Sequence, residues 1–512
     1  MSDDFAKPES LWAILARDHL LTACFFLLLA VGLAPLLATP VLPFIDMNVT
    51  IAHGSILFDV MGHEEPFGSA FEINPLPVPY WTIYILSGVL DAIGGALFAA
   101  RAVVALAIFV LPLSVMRLLV ALRRDPRLGL WAFMFNWERN LWAGWVAYIL
   151  GIALALWTIA WLLEVESLSD AVKTTVLTAL VAITHAQALA FLAVAGLLLF
   201  FTRARTLKET GLYVLSLAGG LIAMRPWLED VFADVHTTSG LKQSFELQEH
   251  TVSDKLAKLY AHTFDVFAGD YETWTTGFMF LLLFAGPIAI AAATRSRRGA
   301  PLAPPIAITL AALALYVVLP FALKGPGGVF HKHNYVRYAM LMLIGLLTIP
   351  RPWLRGKAAL WLVPGLVLAL AMDVQMYRHL RHFSRRMVAL QSLASQIPPR
   401  SYVLPIVGER NDPTCRMAPL SGVASLMIAS RKSYTPQLWS IRHVPILFTP
   451  KAPPRARGSK VTKGLLRRYD YVLVQGLGHD PFPRSKDKLP VELLGEADIW
   501  RLYRVDREAA AR

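Results

Sequence analysis

The chain has 512 residues, 56% of them hydrophobic and 17% charged, with a mean hydropathy of +0.50. A soluble domain carries about 25% charged residues, so the composition excludes a large soluble enzyme and points to a polytopic membrane protein. The net charge is +13, but the basic residues fall in short clusters between apolar runs: "RRDPR" (123–127), "RARTLK" (203–208), "RSRR" (295–298) and "RPWLRGK" (351–357). That is the pattern of membrane orientation, not of nucleic-acid binding.

The first apolar run covers 20–38, long enough to span a bilayer. It follows a mixed-charge start and lacks a small-x-small cleavage site, so it reads as an uncleaved first transmembrane helix. Further apolar segments fall at 81–99, 102–122, 128–136, 141–163, 172–184, 186–202, 211–224, 274–293, 304–323, 337–350 and 358–372. They predict about ten to twelve spanning or part-spanning helices, because backbone inside lipid must satisfy its own polar groups. The runs at 128–136 and 172–184 are too short to cross straight. If every segment crosses once, "RRDPR" lands on the outer face, against the positive-inside rule, so one segment between 81 and 136 is not a simple crossing.

Polar loops at 39–80, 225–273 and 324–336 interrupt the spans, and counting from the basic clusters places all three on the outer face. Residues 1–377 form the transmembrane part. Residues 378–512 form a C-terminal extramembrane domain, also outside, in which short β-like runs at 401–407, 444–449, 469–476 and 498–505 predict a small α/β or α+β fold. Cys24 and Cys415 imply no disulfide framework.

The loop "ATPVLPFIDMNVTIAHGSILFD" (38–59) is the most informative segment. Asp46 and His53 are seven residues apart, two helical turns, and share a face if this stretch is helical. Two readings of Asp46 stay open: the N-cap of a surface helix, or an acid held at the membrane interface for chemistry. His185, in "AITHAQALAF", lies between two apolar runs, where an ionisable residue marks a functional site by default or simply a helix break. In "HKHNYVRYAMLML", His331, His333 and Arg337 stand at the start of a span. A cation there opposes the helix macrodipole, and the planar guanidinium suits phosphate oxygens. No P-loop, dinucleotide fingerprint, HExxH or GxSxG motif occurs.

The order of these features resembles the GT-C superfamily of integral-membrane glycosyltransferases, in its bacterial polyprenyl-phosphate-dependent form. The resemblance is carried by "PFIDMNVTIAHGSIL", "FNWERNLWAGWVAYILG", "THAQALAFL", "HNYVRYAMLML" and the tail "YDYVLVQG…LLGEADIWRLYRV". It implies transfer of a sugar from a polyprenyl-phosphate donor to a lipid, glycan or protein acceptor of the cell envelope. It also implies a multi-pass protein of the bacterial inner membrane with its C-terminal domain in the periplasm. Asp46 matches the family's first-loop acid and would be the catalytic residue. Arg337, with His333 and His331, would hold the leaving phosphate, and His53 and His185 complete the candidate substrate-binding set. Relatives often pair the first acid with a second, whereas Met47 follows Asp46 here. No metal ligand is therefore assigned, and a divalent cation remains open. The alternatives are a secondary transporter, which the absence of an internal repeat disfavours, and a non-catalytic membrane assembly subunit of envelope glycan synthesis.

Overall fold

The computed structural model describes residues 9–76, 78–237, 246–248, 250–293, 301–325, 328–350, 354, 356–438, 444–456, 461–477, 482 and 489–511. The "RSRR" cluster, part of the "RPWLRGK" cluster and part of the second and third loops lie outside them. The protein is a polytopic α-helical membrane protein with a small strand-containing C-terminal part. Among the described residues, six helices are long and apolar enough to cross a membrane: His19–Leu37, Ala96–Ala121, Val146–Leu163, Leu207–Glu229, Asp270–Ala293 and Ala359–Ala394. Four shorter apolar helices accompany them: Trp81–Gly94, Ala186–Phe200, Ala303–Val318 and Tyr338–Leu347. The chain separates into two compact units, neither continuous in sequence.

The first unit comprises Met1–Leu33, Leu106–Asn140 and Ala147–Val374. Its helix ends are stitched at two levels. At one level the fully buried Arg124 donates from Nε to the Thr348 carbonyl (3.0 Å) and from Nη2 to the Pro301 carbonyl (2.8 Å). Asp125 pairs with Arg127 at 2.7 Å and accepts from the Leu354 amide at 2.7 Å. The basic cluster 123–127 therefore shares a face with Pro301, Thr348 and Leu354. Arg117, near the end of Ala96–Ala121, forks onto Glu164, just past Val146–Leu163, with Nη1 2.9 Å from Oε1. At the other level Arg139 donates to the Ala261 carbonyl (3.1 Å), and Lys255 Nζ donates to the carbonyls of Val317 (2.6 Å) and Leu319 (2.7 Å).

Between the two levels runs Pro126–Phe135, a buried 3-10 helix started by Asp125, whose side chain accepts from the Arg127 amide. Ten residues at about 2.0 Å each cover about 20 Å. The apolar run at 128–136 is therefore a part-span in extended helical form.

The second unit comprises Ala34–Ala105, Leu141–Val146 and Gln375–Arg512. Its sheet has four strands: Val403–Val407 runs parallel to Tyr471–Gln475, followed by antiparallel Trp500–Val505 and then Val491–Ala497. Helix Val423–Ser430 packs on helix Met47–Met61. The run at 444–449 does form a strand, Ile446–Phe448, but it pairs antiparallel with Phe71–Ile73 from the first loop. Phe71 stacks on Phe448 with ring centres 4.9 Å apart. Lys432 adds a polar tie, its Nζ 2.7 Å from Asp91 and 3.2 Å from Asp59. Helix Trp81–Gly94, which packs on Met47–Met61, ends at Gly95 with φ +82°. Its fourteen residues span about 21 Å, short of the roughly 30 Å hydrocarbon core.

Candidate active site

Asp46 stands at the N-terminus of helix Met47–Met61, which Pro40 and Pro43 separate from the preceding span by a proline-stiffened turn. Three contacts set that turn. Arg101 Nη2 donates to the carbonyls of Thr39 (3.0 Å) and Pro40 (2.8 Å). The fully buried Asn48 donates to the carbonyls of Leu42 (3.0 Å) and Phe44 (2.7 Å). The Asp46 amide donates to the Ala143 carbonyl at 3.0 Å. Gly144 permits that last approach: its φ is +82°, and a Cβ there would lie 2.2 Å from the Met47 nitrogen and 2.6 Å from that of Asp46.

The capping reading of Asp46 is not what the side chain does. The residue has helical dihedrals and makes no side-chain cap hydrogen bond. Its Oδ2 accepts instead from Trp145 Nε1 at 3.0 Å. The carboxylate lines a cavity of about 350 Å³ together with Arg410, Ser421, Ser425, Gln437 and Arg455. Around it the cavity offers guanidinium groups, hydroxyls and an amide. Among the described residues lining it there is no second carboxylate and no imidazole. Divalent cations take several oxygen ligands, usually including more than one carboxylate, so this donor set does not fit one.

His53 is fully buried and does not line this cavity. Its Nδ1 is 2.8 Å from the Val49 carbonyl of its own helix, and its ring meets Tyr84 edge-on at 5.5 Å.

Arg337 belongs to a separate cluster in the first unit. It begins helix Tyr338–Leu347, is 7% exposed, and donates from Nη1 to Gln187 Oε1 at 2.6 Å. Gln187 Nε2 donates to Asn334 Oδ1 at 2.9 Å, and the Gln187 carbonyl accepts from Tyr338 OH at 3.0 Å. Tyr148 OH closes the cluster on the Arg337 carbonyl at 2.8 Å. His185 is the break between Leu168–Thr184 and Ala186–Phe200. Its Nδ1 accepts from the Gln187 amide at 3.2 Å, and its ring is edge-on to Tyr148 at 5.2 Å. His185 thus places Gln187, and Gln187 aims Arg337.

His333 has a left-handed backbone, φ +60°, and its ring meets Phe321 edge-on at 4.7 Å. His331 lies on strand Gly328–Lys332 opposite Leu323, and its side chain is outside the described residues. The second loop docks beside this cluster. His262 Nδ1 is 2.8 Å from Tyr316 OH, and burial, aided by the nearby charge of Arg139, pulls its pKa down to about 3.

An apolar groove of about 580 Å³ runs along the first unit, lined by Ala186, Leu189, Ala193 and Gly196 from one helix and Leu217 and Leu221 from the next. Thr178 and Ala186 both line it, and Ala186 sits between His185 and Gln187 in the chain.

Sequence reasoning did not single out Gln187, Tyr148, Trp145 or Arg410. Gln187 stands two residues after His185, in "AITHAQALAF". Trp145 lies in "NWERNLWAGW", where tryptophans read as interfacial anchors. Arg410 carries no local signal.

The fold has solved counterparts. The chain is similar to ArnT from Cupriavidus metallidurans in its apo state, with a TM-score of 0.56 over 96% of this chain and 99% of that one, at 11% identity. ArnT bound to undecaprenyl phosphate gives a TM-score of 0.52 over 96% and 98%, at 12% identity. The fold is that of the GT-C superfamily. A mycobacterial arabinofuranosyltransferase, AftD, shares this GT-C fold with a TM-score of 0.50 and 13% identity, over 94% of this chain and 40% of that one. No protein-family model matches the chain, and no curated protein matches it. What the GT-C likeness carries at these identities is the fold.

Proposed function

We propose that the protein is a membrane glycosyltransferase that moves a sugar from a polyprenyl-phosphate donor to an acceptor hydroxyl at the outer face of a bacterial inner membrane. The observation that carries this reading is the carboxylate of Asp46. It heads a helix without capping it and faces a polar cavity instead. Asp46 takes the acceptor's hydroxyl proton, the acceptor oxygen forms a bond to the anomeric carbon, and the bond from that carbon to the phosphate oxygen breaks. The bonding electrons leave with the polyprenyl phosphate. A positioned cation stabilises the charge that develops there, a role that the resemblance to GT-C enzymes offers to Arg337, together with His333 and His331.

The apolar groove whose lining includes Ala186 supports a lipid-linked donor. Ala186–Phe200 has 15 residues, about 22 Å of helix, enough to lay an isoprenoid chain along most of a leaflet.

The membrane orientation follows the two levels of the first unit. The orientation is counted along the chain by letting crossings from Leu106 onward alternate between the level of Arg124 and the level of Arg139. With helix Trp81–Gly94 counted as non-crossing, the clusters "RRDPR", "RARTLK", "RSRR" and "RPWLRGK" all fall inside, and the three polar loops and the C-terminal strands fall outside.

The test is transfer itself. Purified protein in lipid vesicles is given a panel of polyprenyl-phosphate sugars, and both sugar transfer and release of free polyprenyl phosphate are measured. Stoichiometric appearance of the two products is expected. Failure to consume any donor, combined with ion-gradient-driven solute uptake by the same vesicles, would establish the transporter reading instead.

A further inference from the structure

The cavity beside Asp46 carries more positive than negative charge. Its described lining holds one carboxylate, Asp46, and two guanidinium groups, Arg410 and Arg455. A base that handles an uncharged sugar hydroxyl needs no such excess.

Arg455 is fixed in place. Its Nε and Nη2 donate to the carbonyls of Pro436 and Leu438, and its guanidinium lies 5.8 Å from the centre of the Phe448 ring. Carbonyls orient a cation without cancelling its charge, and no carboxylate pairs with Arg455 among the described residues. Arg410 is exposed and makes no ion pair among the described residues. It lies on the segment between strand Val403–Val407 and helix Val423–Ser430, and that segment is anchored. The buried Asp412 accepts from Arg386 Nη1 and from the Thr414 amide, both at 2.8 Å, and the Leu420 amide donates to the Arg410 carbonyl at 3.2 Å.

A third observation is independent of charge. Ser425 is fully buried, lines the cavity, and its Oγ has no hydrogen-bond partner among the described residues. An unsatisfied buried hydroxyl is costly, so a ligand oxygen placed against it recovers that cost.

We propose that this cavity binds an anionic group, a phosphate or carboxylate, carried by the acceptor, with Arg410 as the residue that selects it. Arg455 supplies a fixed second charge and Ser425 a hydrogen-bond donor. The inference rests on the reading of Asp46 as the base and adds the substrate class: a charged acceptor, not a neutral glycan. The volume of about 350 Å³ is near the lower end of small-ligand pockets, about 300–1,000 Å³. It suits a single headgroup or sugar, so any lipid tail of the acceptor stays outside it.

The experiment is calorimetric binding to the purified full-length protein in detergent. The probes are glycerol 1-phosphate and galacturonate, set against glycerol and galactose, with undecaprenyl phosphate as a separate arm. Both anions should bind and their neutral counterparts should not. Arg410→Gln should weaken the anions by about tenfold or more, Arg410→Lys should restore part of the loss because it keeps the charge and gives up the fork, and Ser425→Ala should weaken them by a smaller factor. No binding of either anion, equal binding of neutral and anionic probes, or an Arg410→Gln protein with unchanged affinity overturns the proposal. An equal loss of undecaprenyl phosphate binding in Arg410→Gln assigns the anion to the donor and overturns it as well. Because the readout is binding, unchanged sugar transfer in Asp46→Asn would sink the base assignment and leave this result standing.

Discussion

Trp145 Nε1 donates to Asp46 Oδ2 across 3.0 Å, so the carboxylate at the head of helix Met47–Met61 is held by an indole and not by the helix's own amides. Trp145→Phe keeps the ring and removes the donor. A hydrogen bond to a charged group contributes about 1.5–3 kcal/mol, so kcat for transfer should fall by about tenfold or more, with KM for the acceptor little changed. Initial rates at varied acceptor concentration separate the two.

The backbone contact beneath Asp46 depends on Gly144. Gly144→Ala forces a left-handed non-glycine residue, at about 1–2 kcal/mol, and drives a Cβ against the Met47 nitrogen. The variant should melt several degrees lower and lose transfer beyond what its folded fraction accounts for. Detergent-stability assays on the purified protein, run beside activity, measure both losses.

Gln187 Oε1 accepts from the Arg337 fork at 2.6 Å, and its Nε2 holds Asn334. Gln187→Leu preserves bulk and removes both bonds. Donor affinity should fall by about threefold to thirtyfold, the range of one to two net hydrogen bonds. Acceptor affinity, which belongs to the other unit, should hold. Titration with undecaprenyl phosphate checks the first part and acceptor KM the second.

His262 gives a pH signature. Its pKa falls on folding from the ordinary histidine value to about 3, chiefly through burial. The unfolded loop therefore binds more protons than the folded one between about pH 6.5 and pH 3, and stability rises with pH through that window. Acidification from pH 7 to pH 4 should loosen the docked second loop, seen as lower hydrogen-exchange protection factors, corrected for the intrinsic rate at each pH, in peptides covering 250–267. His262→Gln should flatten the dependence.

Lys432 ties the Val423–Ser430 region to Asp59 and Asp91. The lysine side chain is 40% exposed and Asp91 only 7%, so the pair is part-screened. Lys432→Met should cost about 1–2 kcal/mol, between surface and buried ion-pair values. A thermal melt of the purified variant reads it.

The helices were legible because lipid demands long apolar runs, and the strand runs at 401–407, 469–476 and 498–505 were legible from β-branched and aromatic residues between turn signals. The partner of the 444–449 run was not. Phe71–Ile73 lies about 370 residues earlier, and no local pattern encodes a pairing across that separation. The topology of 81–136 shows the same limit. Hydropathy marks Trp81–Gly94 as apolar but carries no sign that it packs on Met47–Met61. At the site, sequence identified Asp46 and Arg337 as odd charges near helix starts. It could not show that Asp46 declines to cap, because capping is a choice of rotamer, nor that Gln187 orders Arg337, because that bond joins residues 150 apart.

The central claim is that Asp46 removes the acceptor's proton. Asp46→Asn keeps size and removes the base. With no cap bond to lose, the variant should insert and melt like the wild type. In isolated membranes supplied with donor and acceptor, its sugar transfer should fall by about 10²–10⁴-fold, the contribution of a general base. Transfer within about twofold of the wild-type rate, at equal amounts of folded protein, would contradict the account.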